Sequence, residues 1–326
     1  MKPYNIDVAV LIIFFCRDEQ LEKVFEQVKK ARPSKLYLYQ DGARLGRLDD
    51  EKGIAKCRAI VDDSQIDWQC EVHRLYQEKN YGCDPSEYIA QKWMFKYEEM
   101  GIILEDDDVP SQSFFPFCKE LLEKYKDDKR INMICGMNNT GVSKHCKASY
   151  LFTKKGSIWG WASWRRVLDA WDENYTWLDE PKKCEIIKRQ ISKKQYENYI
   201  KTAKAHRASG RAHYETINAA TMFLSDSYNI VPKYNMISNI GISKESTHSV
   251  SDIRLLPRRI QKLLYMETYA IEFPLLHPTK LIRNYKFERK MTPNAIQILW
   301  DKVEYLMRAW KYLGVKSILV KFKKRA

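Results

Sequence analysis

The stretch Gly101-Ile102-Ile103-Leu104-Glu105-Asp106-Asp107-Asp108-Val109-Pro110 carries the strongest signal in the chain. An apolar segment running straight into four consecutive carboxylates reads as a buried strand ending in an acidic turn. Carboxylates so placed repel one another unless a cation sits among them. Hard oxygen donors suit Mn²⁺ or Mg²⁺, which keep coordination positions for a substrate's phosphate oxygens. A solvated acidic turn is the plain alternative. The apolar strand before the acids, and Pro110 read as the entry to a helix, weigh against it.

Upstream, Val8–Cys16 is an apolar run of nine residues, read as another buried strand. Leu21, Val24, Phe25 and Val28 then fall at i, i+3, i+4, i+7, one stripe of a helix. Asp18 and Glu19 open that helix, Lys29, Lys30 and Arg32 close it, and Pro33 stops it. A strand at Lys35–Gln40 breaks at Asp41-Gly42, and a helical stretch follows through Ile54, Cys57, Ile60 and Val61. Next come a strand at Gln69–Tyr76 and a helix over Pro85–Met100. Strand alternating with helix predicts an α/β fold with a mostly parallel central sheet flanked by helices. Such sheets bind ligands beyond the carboxyl ends of their strands. Arg17, Asp41 and the run Glu105–Asp108 stand just past those ends.

Neither G-x-G-x-x-G nor G-x-x-x-x-G-K-[ST] occurs, which argues against a dinucleotide enzyme and a P-loop NTPase. The eight cysteines include no C-x-x-C pair, so reduced thiols are expected rather than a zinc site. No run approaches the ~20 apolar residues of a bilayer span. The N-terminus lacks the pattern of a signal peptide, so a cytoplasmic location is expected. Of the net charge of +14, residues 251–326 supply +11 through seventeen Lys/Arg against six Asp/Glu. A basic end without a nucleic-acid-binding motif does not read as a nucleic-acid binder.

Taken together, several motifs resemble the GT-A-fold nucleotide-sugar glycosyltransferases, notably N-acetylglucosaminyltransferase I and bacterial hemolytic-protein-like sugar transferases. They are Phe14-Phe15-Cys16-Arg17, Tyr39-Gln40-Asp41-Gly42, Asn80-Tyr81-Gly82-Cys83 and Ile103-Leu104-Glu105-Asp106-Asp107. Ile134–Asn139, Trp159–Trp164, Ser238-Asn239-Ile240-Gly241 and Ser246-Thr247-His248 continue the series, so the resemblance covers residues 6–250. It implies a GT-A catalytic domain over 1–250, with a nucleotide-binding half (1–136) and an acceptor half (137–250). A basic, helical C-terminal extension, 251–326, follows.

The resemblance also implies roles. Arg17 and Asp41 match residues that hold the uridine of a UDP-sugar, and Asp106 matches a position near the ribose. Phe15, Asn80 and Glu105 belong to the same donor-binding motifs. Asp107, last of the Glu-Asp-Asp triplet, matches the metal ligand, and His248 matches a late residue that completes the metal shell or contacts the diphosphate. Asp108 departs from the triplet, where an apolar residue is common, so whether Asp106, Asp107 or Asp108 touches the metal stays open. The activity implied is inverting, Mn²⁺- or Mg²⁺-dependent transfer of a hexosyl or N-acetylhexosaminyl group to a glycan or lipid-linked glycan.

An inverting transfer needs one carboxylate to take the acceptor's proton. Asp172, Asp179, Glu180 and Glu215 are the candidates after the acidic run. Asp179-Glu180 precedes Pro181 and a Lys-rich stretch and reads as a solvated loop, whereas Glu215 opens an apolar helix, Thr216–Leu224. Counting back from Pro232–Gly241 also puts Glu215 on the base position of the similar bacterial family, more often Asp. A helix-start acid that stabilises the dipole is the alternative. Beside it, His213 is a candidate acceptor contact. Trp161 follows Gly160, where backbone can approach a ligand, and is the candidate sugar-stacking ring. Trp164, Trp171 and Trp177 read as core.

From Pro293 onward Ile296, Leu299, Trp300, Val303, Leu306, Met307, Trp310 and Leu313 form a helical apolar stripe beside Lys302, Arg308 and Lys311. The chain ends Lys321-Phe322-Lys323-Lys324-Arg325. The stripe suits a helix docked on the catalytic domain equally with one lying in an interface. The basic run favours peripheral contact of residues 293–326 with an anionic membrane surface. The competing function is a nucleotidyltransferase acting on sugar phosphates, which would want a glycine-rich loop where Arg17-Asp18-Glu19-Gln20 stands. An inactive sugar-nucleotide-binding relative is the third reading.

Overall fold

The computed structural model describes residues 1–242 and 252–313. The first apolar run forms an interior strand of its main sheet. In β1 (Ile6–Phe14) every residue from Val8 onward is buried. Successive side chains point to opposite faces, so both faces of the sheet are covered there. Helix α1 (Asp18–Ala31) buries the expected stripe of Leu21, Val24, Phe25 and Val28. It leads to β2 (Pro33–Gln40), α2 (Leu48–Ile60) and β3 (Glu71–Tyr76). Next come α3 (Cys83–Tyr97), β4 (Met100–Glu105), β5 (Asp108–Pro110), α4 (Phe114–Lys124) and β6 (Ile131–Cys135).

The second half runs β7 (Tyr150–Thr153), β8 (Trp161–Trp164), α5 (Arg165–Leu168), α6 (Pro181–Lys188) and α7 (Lys193–Ser209). It continues through α8 (Tyr214–Leu224), β9 (Tyr228–Pro232) and β10 (Ile237–Asn239). Among the described residues the main sheet has eight strands in the order β3-β2-β1-β4-β8-β6-β9-β7. Pairing is parallel from β3 through β4 and between β6 and β9. β8 runs antiparallel between β4 and β6, and β7 antiparallel at the edge. The fold is thus α/β with a mostly parallel sheet flanked by helices.

Several boundaries differ from the sequence reading. β1 stops at Phe14, which leaves Phe15 and Cys16 in a bend above the strand ends. β3 begins at Glu71 rather than Gln69, and α3 starts at Cys83 and ends at Tyr97, ahead of the span expected from Pro85. Pro110 does not open a helix. Asp108–Pro110 pairs antiparallel with Ile237–Asn239, so a second, two-stranded sheet closes over the acidic turn.

After residue 252 come α9 (Arg258–Gln261), α10 (Tyr285–Met291) and α11 (Ala295–Leu313). Between α9 and α10 the chain is irregular and bound to the domain instead of helical. Tyr265 N–H donates to Asn239 O (2.9 Å) and Tyr269 N–H to Asn235 O (2.8 Å). Further on, Ser149 N–H donates to Leu276 O (2.7 Å) and Asn284 N–H to Phe152 O (2.8 Å). All eight cysteines are free, as expected.

Candidate functional site

Register puts the sequence-predicted residues side by side. Phe14 pairs with Gln40 and Ile13 with Glu105, so the strands bearing Arg17, Asp41 and Asp106 end together. A cavity of about 120 Å³ beyond these ends is lined by Phe15, Arg17, Asp41, Asn80, Glu105 and Asp106, among others. It adjoins a larger cleft of about 440 Å³ that shares Arg17, Cys83, Glu87 and Glu105 with it and adds Asp107, Trp159, His213 and Glu215.

Asp41 organises one wall. Its carboxylate accepts from the N–H groups of Gly42 (3.0 Å), Tyr81 (2.9 Å) and Gly82 (3.0 Å) and from Asn80 Nδ2 (2.8 Å). Burial raises its pKa against the pull of those donors. Asp41 and the Asn80 loop are therefore one hydrogen-bonded unit. Arg44, itself paired with Asp50 at 2.6 Å, lies over the Phe15 ring at 5.6 Å.

The four acids separate by environment. Asp106 pairs with Arg17, whose Nε donates to Oδ2 at 3.2 Å. Asp107 receives Arg17 Nη1 on Oδ2 (2.8 Å) and Asn239 Nδ2 on Oδ1 (3.0 Å). Asp108 is wholly buried and turned away from the cleft, bound by Asn239 Nδ2 (3.1 Å) and the Gly160 N–H (2.8 Å). Gly160 sits at φ +58°, and a Cβ there would come within 2.4 Å of Ile237. Burial opposes the Arg17 charge, but Asp106 and Asp107 outweigh it and hold the guanidinium above its ordinary range. Burial, reinforced by mutual repulsion, pushes Glu105 and Asp108 well above the usual carboxylate range.

Asp107 is thus the member of the run that both lines the cleft and has an oxygen whose partner is a cation. Among the described residues no three His, Cys, Asp or Glu side chains converge as a metal cage. Mg²⁺ and Mn²⁺ are often held by one or two carboxylates, with substrate phosphate and water completing the shell. The donor set fits an ion of that kind through Asp107. His248 lies outside the described residues.

Glu215 is exposed in the first turn of α8 and lines the cleft. It also lines a neighbouring cavity of about 440 Å³ with Asn132, Asn139, Lys155 and Trp159. Buried oxygens of Asn132 and Asn139 have no hydrogen-bond partner. The other acids considered as bases have their own contacts, away from the cleft's lining. Asp172 accepts from Thr176 N–H (2.6 Å), while Asp179 pairs with Arg207 (2.8 Å) and Glu180 with Lys183 (2.7 Å). His213 stacks on His206 at 3.7 Å and lies 3.3 Å from Asp84.

Trp161 is corrected. It is 1% exposed, and its ring stacks on Tyr214 at 6.2 Å beneath the site, while Trp159 lines the cleft. Trp171 stacks on the same Tyr214 at 6.1 Å, so the residue before Glu215 is fixed between two indoles. Trp164, Trp171 and Trp177 are core, as expected. Sequence reasoning missed Glu87, a buried α3 carboxylate lining both cavities, which burial pushes up to about 8. It also missed Asn239 as the clamp on Asp107 and Asp108, although that residue stands in a quoted motif.

No family model matches the chain, and no curated protein matches it. Among solved structures it is similar to the glycosyltransferase GlyE of Streptococcus pneumoniae TIGR4, at 10% identity and a TM-score of 0.34. That match covers 70% of this chain and 45% of GlyE, so the chain spans less than half of GlyE. It is also similar to a UDP-glucose pyrophosphorylase complexed with UDP-glucose (8% identity, TM-score 0.35, 71% of this chain and 92% of that one). A third is 4-diphosphocytidyl-2C-methyl-D-erythritol synthase from Anaerococcus prevotii DSM 20548 (10%, 0.28, 49% and 73%). None of these likenesses assigns a reaction to this chain.

Proposed function

We propose that the protein is an inverting, divalent-metal-dependent glycosyltransferase of GT-A type. It takes a hexosyl or N-acetylhexosaminyl group from a UDP-sugar to a glycan or lipid-linked glycan. The observation that carries this reading is the convergence of Phe15, Arg17, Asp41, Asn80, Glu105 and Asp106 on one cavity that opens into the cleft of Asp107 and Glu215. In this reading the Asp41–Asn80 wall and Arg17 receive the uridine, and Asp106 lies toward the ribose. Asp107 would hold Mn²⁺ or Mg²⁺ on the oxygen now paired with Arg17. The ion supplies the positive charge that lets a diphosphate leave.

Trp159, rather than Trp161, offers a flat face to the sugar. The acceptor enters on the side of Asn132, Asn139 and Lys155, whose amide oxygens and ammonium suit a hydroxyl-rich molecule. Its hydroxyl oxygen forms the new bond to the anomeric carbon as the bond to UDP breaks. Glu215 takes the hydroxyl proton and UDP carries off the electron pair. Glu215 lines the cleft and the neighbouring cavity of Asn132, Asn139 and Lys155, a place that suits a base between donor and acceptor.

The test is incubation with a panel of UDP-sugars and Mn²⁺, with UDP release and sugar transfer followed together. The reading expects UDP release that EDTA abolishes. Full activity in EDTA, or pyrophosphate formed from UTP and a sugar 1-phosphate in its place, overturns it.

A further inference from the structure

Helix α11 is amphipathic the wrong way round for a helix packed on a protein. Its inward residues are polar. Arg259 Nε donates to Asp301 (2.9 Å), the Arg258 N–H to Glu304 (3.0 Å), and Arg308 both to Glu304 (2.8 Å) and to Arg254 O (3.1 Å). Ala309 is buried on this face. The apolar stripe that the sequence left equally suited to docking therefore points outward. Ile296, Leu299, Trp300, Met307 and Trp310 are exposed by 67, 62, 64, 61 and 61%.

A contiguous apolar surface of this kind on a water-soluble domain marks an interaction site. Its flanks say what it meets. At 100° per residue, Lys302 and Lys311 fall on opposite borders of the stripe, and both are exposed. Lysines there lay their stems along an apolar layer and keep their ammonium groups at its polar edge. Indole rings favour the same boundary. The sequence beyond Leu313 adds Lys316, Lys321, Lys323, Lys324 and Arg325 and no acid. A second copy of the chain on this face would oppose lysine borders of like sign, whereas anionic headgroups neutralise them.

We propose that α11 lies flat on an anionic lipid bilayer, its Trp300–Trp310 face in the acyl boundary and Lys302 and Lys311 at the phosphates. No helix of the described residues is long and apolar enough to cross a membrane, so the contact is interfacial.

The experiment is co-sedimentation of the full chain with phosphatidylcholine vesicles with and without phosphatidylglycerol, beside a Trp300→Ser/Trp310→Ser variant and a Lys302→Glu/Lys311→Glu variant. Binding is expected to the anionic vesicles, weaker by about tenfold or more in each variant. The replaced side chains are exposed, so melting temperatures should stay at the wild-type value, which separates lost binding from lost folding. Absence of wild-type binding overturns the proposal, as does equal binding by the tryptophan variant. A dimer in sedimentation velocity that the tryptophan variant abolishes would assign the face to a second copy and overturn it too. None of these readouts depends on sugar transfer.

Discussion

Glu215 and Glu87 line the same cleft in opposite environments, and they carry separable predictions. Glu215 is exposed at a helix start, and the proposed function makes it the general base. Glu215→Gln should lower the transfer rate about 10²-fold or more, a typical general-base contribution, with UDP affinity unchanged. Normal turnover would leave it a helix-start acid. Glu87 is buried, with its pKa pushed up from 4.5 to about 8, first by burial and then by repulsion from Glu215, Asp84 and Asp107. Folding thus favours its protonated form. Its contribution to stability is full below about pH 4.5, declines as pH rises, and is gone above about 8. Unfolding of wild type and Glu87→Gln near the two limits should show wild type losing ground to the variant at the higher pH. A constant difference would contradict the assignment. Glu87 was invisible in the sequence because one acid in a helix reads as part of a solvated face. Only the packing of α3 under the cleft buries it.

The short β5–β10 pair does what the acidic run alone could not disclose. By bringing Asn239 onto Asp107 and Asp108, it divides neighbouring identical residues into one facing the cleft and one turned inward. Gly241, just past β10, approaches so closely that a Cβ would lie 2.0 Å from Asp107 Oδ2. Gly241→Ala should therefore swing Asp107 aside and weaken metal-dependent UDP binding by about tenfold, roughly 1.4 kcal/mol. Thermal unfolding reports whether stability is held, and unchanged binding would mean that Asp107 is not the ligand. The first four strands and α1 were legible because their apolar periodicity follows from burying one face or both, whereas β5 to β10 are short and carry no such run. Trp159 and Trp161 were not. Two indoles around a glycine have one composition, and it is Gly160 at φ +58° that sends one to the cleft and the other beneath Tyr214.

Across the whole molecule, the alternation of strand and helix anticipated the parallel β3-β2-β1-β4 part of the sheet and the cavity beyond its strand ends, but not the β8-β6-β9-β7 half. Arg17, Asp41 and Asp106 needed only the strand ends to be found together. The orientation of α11 was not legible, because an amphipathic pattern is the same whichever face docks. The Arg258, Arg259 and Arg308 contacts decide it. The central claim concerns the cavity and cleft at the strand ends, and calorimetric titration with UDP tests it most directly. The account predicts binding in Mn²⁺ that weakens at least about tenfold in EDTA and in Asp107→Asn. Equal affinity with and without the ion, or no binding of UDP at all, would contradict it.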